Sequence, residues 1–293
     1  MSQSLVCIAE PTAEPVELGE FKNFLEIPDG DTSRDAKLTS FLLAARVDRE
    51  RYTRTRFITQ TWLLRSDSFP GISLIYDRNG YPALELPMLP FQSVQKFWFV
   101  DTAGSVEELL RDTSYGNTAG SYGYQLEHGG GLVPARLVPT WARPWPPSRL
   151  VPANTMVEFR CGYGGPLTVS IANGSAALSS GAFKFNPDDA QILTGDKGTA
   201  IRIPGAGPLV DGEQSDLVTS VLSVDSNGAA TLADAASASV SNIDAWLGAP
   251  VPEPLRLAIM FQAQFFFEQG AVVDMPSPRI VDQLSNSYRN LVS

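Results

Sequence analysis

Apolar residues recur at helical spacing in four stretches of this chain and follow strand-like patterns between them. In Val16 to Ile27, Leu18, Phe21 and Leu25 fall on one face, and Pro28-Asp29-Gly30-Asp31 closes the segment with turn chemistry. Thr32-Ser33-Arg34-Asp35 reads as a capping box for a second helix. There Leu38, Phe41, Leu42, Ala45 and Tyr52 form the expected buried stripe, with Arg46, Arg49, Glu50 and Arg54 on the other side. The third stretch runs from Glu253 to Gly270. Pro254 suits its first turn, and Gly270 the positive φ just past its end. Leu255, Ile259, Gln262 and Phe266 recur at helical spacing, and most other sides are apolar too, so other helices or other subunits must cover it. Ile280, Leu284, Tyr288 and Leu291 trace the stripe of a last helix.

β-branched and aromatic residues mark strands at Ile58 to Arg65, Leu84 to Leu86, Val94 to Val100 and Thr155 to Arg160. Gln95 to Val100 carries aromatics on both faces, which predicts cover on both. Trp141-Ala142-Arg143-Pro144-Trp145-Pro146-Pro147 predicts an extended, pre-ordered loop. Near Gly162-Tyr163-Gly164-Gly165-Pro166 the composition shifts. Residues 166 to 249 are poor in Lys and Arg and alternate short strands with turns. Leu217 to Val224, Asp225-Ser226-Asn227-Gly228 and Ala229 to Ala233 read as a β-hairpin, with Asn-Gly at its turn. The fold class expected is α+β: a small helical bundle with attached antiparallel strands in 1–165 and 250–293, and an inserted small all-β domain in 166–249.

Composition narrows the chemistry. The chain is 43% hydrophobic and 18% charged, so it folds. Its 32 acidic and 22 basic residues leave a net charge of −10, which argues against general nucleic-acid affinity but not against a conduit through which DNA passes. Cys7 and Cys161, the two cysteines, support neither a disulfide framework nor a zinc site, and reduced thiols are expected. Met1-Ser2-Gln3-Ser4 has no basic region and no long apolar run, which points to synthesis in a cytoplasm. The helix at Glu253 to Gly270 is too short and too interrupted by Arg and Gln to cross a bilayer.

Each candidate for reactive chemistry has a structural explanation. The sole histidine, His128, stands in a glycine-rich loop with no nucleophile-elbow motif beside it. Pro204-Gly205-Ala206-Gly207-Pro208 lacks the helix start that a phosphate cradle needs and reads as a turn. Asp29-Gly30-Asp31 and Asn186-Pro187-Asp188-Asp189 do not continue into calcium-loop spacing. The basic run Arg46, Arg49, Arg51, Arg54 and Arg56 is interleaved with Asp48 and Glu50, as on a solvated or inter-subunit ion-pair face. Trp141 and Trp145 read as packing that pins a loop. No enzyme constellation, cofactor site or metal site is expected.

Several stretches in order carry a family resemblance: Pro15 to Lys22, the Arg34 to Tyr52 helix, Phe57-Ile58-Thr59-Gln60-Thr61-Trp62, Leu86-Pro87-Met88-Leu89-Pro90-Phe91-Gln92-Ser93-Val94, Val157 to Tyr163, and the Pro254 to Gly270 helix. Together they resemble the head–tail connector (adaptor) family of tailed double-stranded DNA bacteriophages. The resemblance covers about 15–163 and 250–290. It implies a virion protein of the neck that forms a homo-dodecameric ring under the portal protein. Such a ring passes duplex DNA through its lumen without sequence-specific binding and docks a neck, stopper or tail-completion protein. The family transfers no catalytic residue. Its C-terminal segment commonly reaches the portal, which makes Ile280, Leu284, Tyr288 and Leu291 the candidate portal contact. The loops around Asp77, Arg78, Asn79 and Tyr81, and around Tyr122 and Tyr124, are candidate docking loops that order on binding. An acidic or neutral lumen would keep phosphate from sticking. Residues 166–249 depart from the family's compact form and are similar to small β modules of phage tail and spike proteins, at Phe185 to Asp189 and Ala200 to Gly207. The alternatives are a decoration or receptor-binding protein and a carbohydrate-acting enzyme with a carboxylate pair.

Overall fold

The computed structural model describes residues 3–11, 13–69, 82–112, 122–127, 133–140, 144–179, 198–210, 212–224, 230–269 and 278–289. Strand β1 (Gln3–Ala9) precedes helices α1 (Leu18–Phe24) and α2 (Asp35–Thr53). Then come β2 (Gln60–Ser66), β3 (Leu84–Leu86), β4 (Phe91–Val100), β5 (Val106–Glu108), β6 (Leu110–Arg111), β7 (Gly123–Glu127), β8 (Ala135–Pro139) and β9 (Thr155–Cys161). The next strands are β10 (Gly164–Ile171), β11 (Ala177–Ser179), β12 (Ala200–Ile203), β13 (Leu209–Val210), β14 (Glu213–Gln214), β15 (Leu217–Val224), β16 (Ala230–Leu232) and β17 (Val240–Gly248). Helices α3 (Glu253–Gln269) and α4 (Arg279–Asn286) follow. The class is mixed α+β.

Two hydrophobic clusters organise these elements. A five-stranded sheet in the order β1-β2-β9-β4-β5 and a four-stranded sheet in the order β3-β8-β7-β6 share one. Leu64, Phe97, Phe99, Val157 and Phe159 come from the first sheet, and Leu84, Leu86, Tyr124 and Leu137 from the second. Trp145 stacks on Phe69 with ring centroids 5.1 Å apart and donates its indole N–H to the Pro82 carbonyl at 2.8 Å, so it packs the approach to this core. The other cluster joins the helices to a closed barrel in the order β10-β11-β16-β15-β12-β17. Leu38, Phe41 and Ala45 of α2 and Leu255, Ile259 and Ala263 of α3 belong to the same apolar mass as Leu167, Val169, Ile201 and Val221 of the barrel.

The chain passes from sheet to barrel at Gly162, where only glycine fits. Its φ is +122°, and an added Cβ would lie 2.5 Å from the Ile58 carbonyl oxygen. The Gly162 N–H donates to the Pro90 carbonyl at 2.8 Å, and the Gln92 side chain donates to the Gly162 carbonyl at 2.8 Å.

Several sequence expectations meet corrections here. No capping box forms: Arg34 occupies the N-cap of α2, while the Ser33 N–H and hydroxyl both donate to Asp31 Oδ1, at 3.0 and 2.6 Å. The buried stripe of α2 continues through Arg46, Arg49, Glu50 and Thr53, and Tyr52 is half-buried. That path keeps the helical spacing set by Leu38, Leu42 and Ala45. In β4, Phe97 and Phe99 are buried but Trp98 is half-buried with the Lys96 ammonium over its ring, so one face is fully covered. The sequence pattern predicts no strand at 3–9; β1 forms there by pairing antiparallel with β2. The hairpin strands do pair, Val221 with Leu232 and Val224 with Ala230, although their turn at 225–229 lies outside the described residues.

Candidate functional site: a buried charge frame beneath exposed apolar faces

The second half of α2 carries charge into the interior. The side chain of Glu50 is 3% exposed. It accepts hydrogen bonds from the Phe57 backbone N–H at 2.8 Å, from Arg46 Nη1 at 3.2 Å and from Gln60 Nε2 at 3.3 Å, with Arg56 Nη1 at 3.5 Å. Arg46 also donates through Nε to Glu14 Oε2 at 2.8 Å, so one guanidinium ties the segment before α1 to the carboxylate that receives the start of the β2 region. Arg49, 2% exposed, donates to Asp282 of α4 at 2.8 Å and to Asp48 at 2.5 Å, and lies over the Tyr52 ring. The Tyr52 hydroxyl meets Asn286 Oδ1 at 2.6 Å. Arg256 of α3 donates to Glu20 of α1 at 2.5 Å, to Glu253 at 2.9 Å and to the Pro15 carbonyl at 3.2 Å.

Such a frame fixes geometry more than it adds stability. Taking charges out of water costs about as much as their attraction returns, yet removing one partner leaves the other stranded. Burial works against the Arg46 charge, but Glu50 and Glu14 outweigh it and raise its pKa. Burial raises the Glu14 carboxyl, Arg46 offsets part of that, and Glu50 adds to it.

The two thiols flank β2 without meeting. Cys7 stands opposite Trp62, and Cys161 opposite Gln60. Burial, aided by Glu10, pushes the Cys7 thiol up to about 12, and complete burial pushes Cys161 well up. Both are free cysteines.

Asp77, Arg78, Asn79 and Tyr81 lie outside the described residues, as do His128, Trp141, Leu291 and the Asn186 to Asp189 stretch. Tyr122 is exposed. Tyr124 belongs to β7 instead of a loop; it is buried 5.4 Å from the Phe97 ring, and burial pushes its hydroxyl up to about 12. In α4 the buried residues are Val281 and Ser285, one position from the Ile280 and Leu284 stripe read from the sequence. Ser285 can sit inside because its hydroxyl donates to the Val281 carbonyl at 2.8 Å. Ile280 is exposed, Leu284 half-buried, and Tyr288 packs partly against the helix–barrel cluster. The stretch Pro204 to Pro208 is a turn, with Gly207 tight against the Asp216 backbone.

The basic run is not one exposed face. Arg46 and Arg49 are buried and ion-paired, while Arg51 and Arg54 are exposed. The stripe expected from the sequence leaves Arg46, Arg49 and Glu50 on the outer side; the signal it passes over is that Arg46 and Glu50 stand four apart, in line with Leu42 of the buried stripe.

Two concavities lie beside the barrel, and the first borders the frame at Glu14. One of about 620 Å³ lies between Glu14, Leu18 and Leu42 on the helical side and Pro166, Asp244 and Trp246 of the barrel. Another of about 600 Å³ lies among Phe91, Gln92, Tyr163, Gly248 and Tyr288. Among the described residues no group of three His, Cys, Asp or Glu side chains is arranged to hold a metal ion, and no helix is long and apolar enough to cross a membrane.

Neither a family model nor a curated protein matches the chain. Solved structures of gene transfer agent (GTA) particles contain similar chains. One is from the neck of an empty GTA particle computed with C6 symmetry, with 15% identity, a TM-score of 0.49, and coverage of 99% of this chain and 97% of that one. Another, from the neck of a native GTA particle computed with C12 symmetry, has 16% identity, a TM-score of 0.48, and coverage of 100% and 97%. A third, from the virion of a native gene transfer agent particle, has 14% identity, a TM-score of 0.47, and coverage of 99% and 96%.

Proposed function

We propose that this chain is a structural neck protein of a tailed phage or phage-like particle. It acts as a head–tail adaptor, assembling as a ring beneath the portal, extending the DNA channel and docking the next neck or tail protein. It works by shape and breaks no covalent bond. One observation carries this reading: the separate stretches that resemble the connector family are knit into one framework. The Phe57 N–H is held by Glu50 of α2 at 2.8 Å, the Arg56 N–H by the Leu89 carbonyl at 2.6 Å, and the Gly162 N–H by the Pro90 carbonyl at 2.8 Å. Tyr163 donates to the Phe57 carbonyl at 3.3 Å, and α3 packs along α2. Stretches far apart in sequence thus form one body, as a shared functional unit requires.

In this reading α4 faces the portal, with Ile280 as its exposed apolar residue. The barrel forms the inserted module of 166–249. The exposed Val218 of the barrel, and Leu209 and Val210 of the β13–β14 pair beside it, contact the capsid, the portal or a neck fibre. The acidic balance keeps the lumen from holding DNA.

The test is the particle mass of the purified protein, alone and with its portal, together with a reconstruction of the virion. A closed ring and density at the unique vertex are expected. Density at a fibre tip or in the shell lattice would overturn the proposal.

A further inference from the structure

Helix α2 and strand β1 each present a ladder of exposed residues, and the two ladders match. With Leu38, Leu42 and Ala45 turned into the core, the opposite side of α2 shows Ser40, Leu43, Val47 and Arg51. Leu43 is 46% and Val47 42% exposed, unusual for large aliphatic side chains in mid-helix. A shallow groove of about 360 Å³ lined by Ser40, Leu43, Ala44, Val47, Asp48 and Arg51 runs along this side. Arg51 has no ion-pair partner among the described residues.

Strand β1 is an edge of the five-stranded sheet. Its alternate residues Ser4, Val6 and Ile8, and then Glu10, are exposed, with Val6 and Ile8 at 43% each. Its sequence, QSLVCIA, contains neither the Lys nor the Pro by which edge strands commonly resist pairing. Such an edge is normally covered.

We infer that these surfaces are the two halves of one contact between copies of this chain, α2 of one copy lying over β1 of the next. Leu43 and Val47 meet Val6 and Ile8, and Arg51 pairs with Glu10. Three features carry this. The pitch agrees over the apolar pairs: the four residues from Leu43 to Val47 advance about 6 Å of helix and the two from Val6 to Ile8 about 6.7 Å of strand, ahead of the register shift that β1 makes by Ala9. The order agrees, each ladder reading hydroxyl, apolar, apolar, charge. The charges at the matching ends are opposite. Because the two faces differ, a copy that uses α2 on one neighbour keeps β1 for another, which is the heterologous contact that closes a ring. The inference rests on the ring reading and names its interface.

The test uses the full-length chain, with and without portal protein, and measures particle mass by light scattering against concentration. Arg51→Glu and Glu10→Arg are made in separate chains. Each alone places like charges at every contact and raises the concentration for half-assembly by about tenfold or more, the equivalent of about 1.4 kcal/mol. Mixed one to one, the two chains assemble again, because an alternating ring restores opposite charges at both kinds of contact. Circular dichroism of each variant matches the parent, since both sites are exposed. If the parent forms rings and the single variants assemble equally well, or fail without rescue on mixing, the α2–β1 contact is overturned while the ring reading stands. A parent that stays monomeric even with portal overturns both.

Discussion

Arg49 of α2 and Asp282 of α4 meet at 2.8 Å across 233 residues of sequence. The guanidinium is 2% exposed and the carboxylate 37%, so one end of this pair lies in the interior and the other at the surface. The pair, with the Tyr52–Asn286 hydrogen bond beside it, sets where α4 lies on α2. Ile280 stands two residues before Asp282, so the pair also positions the residue proposed to face the portal.

Replacing Asp282 by Ala therefore loosens α4 before it unfolds the protein. The expected cost is about 1.5–3 kcal/mol, the range for a charged hydrogen bond, because Arg49 keeps Asp48 and the Tyr52 ring. Hydrogen exchange checks it: amides of 279–289 speed up selectively, while those of α3 keep their protection.

Glu50 is the centre of the frame and is the costliest carboxylate to remove. Glu50→Ala takes the acceptor from the buried Phe57 N–H and Gln60 amide and leaves the buried Arg46 with Glu14 alone, and is expected to cost about 3–5 kcal/mol. Chemical denaturation reads this as a lower midpoint with an unchanged slope. A loss below about 1 kcal/mol would mean that water replaces the carboxylate without penalty.

Gly162 and Gly174 both have positive φ, at +122° and +74°, but only Gly162 is crowded. Gly174→Ala meets open space and is expected to cost about 1–2 kcal/mol, the left-handed penalty alone. Gly162→Ala drives a Cβ to 2.5 Å from the Ile58 oxygen and is expected to cost at least about 3 kcal/mol. Thermal melts of the two variants side by side separate steric exclusion from conformational preference.

The Glu14 carboxyl is raised above its ordinary 4.5 in the folded protein, chiefly by burial. The folded state therefore binds this proton more tightly than the unfolded chain does. The stability it contributes is fully present below pH 4.5 and is lost as pH rises through the raised value. Relative to Glu14→Gln, which does not titrate, the parent should lose stability as pH climbs through that window. Denaturation midpoints of both proteins from pH 4 to 7 check the sign, and a parent that gains on the variant contradicts it.

With Cys7 near 12 and Cys161 fully buried, neither thiol should form thiolate at pH 8 in the native protein. Alkylation at that pH is expected to be slow at both and to become rapid together in denaturant. Fast labelling of Cys7 alone would show that β1 opens on its own.

The sequence by itself determined the elements whose signal is local. Leu38, Phe41, Leu42 and Ala45 announce the inner side of α2 because helical spacing puts them on one face whatever lies opposite. The β15–β16 hairpin is legible for the same reason, since its strands pair with near neighbours in the chain. Tertiary structure alone decided the rest. Barrel closure pairs Gly164 with Gly248, and β1 finds its partner at 60–66, contacts between distant segments that no window of sequence contains. It also decided that Arg46, Arg49 and Glu50 go inside. A charge enters the interior only when its partners arrive with it, and Glu14, the Phe57–Gln60 stretch and Asp282 come from three other parts of the chain. Sequence periodicity marks which side of α2 turns inward, but only the assembled fold supplies the groups that make charge tolerable there.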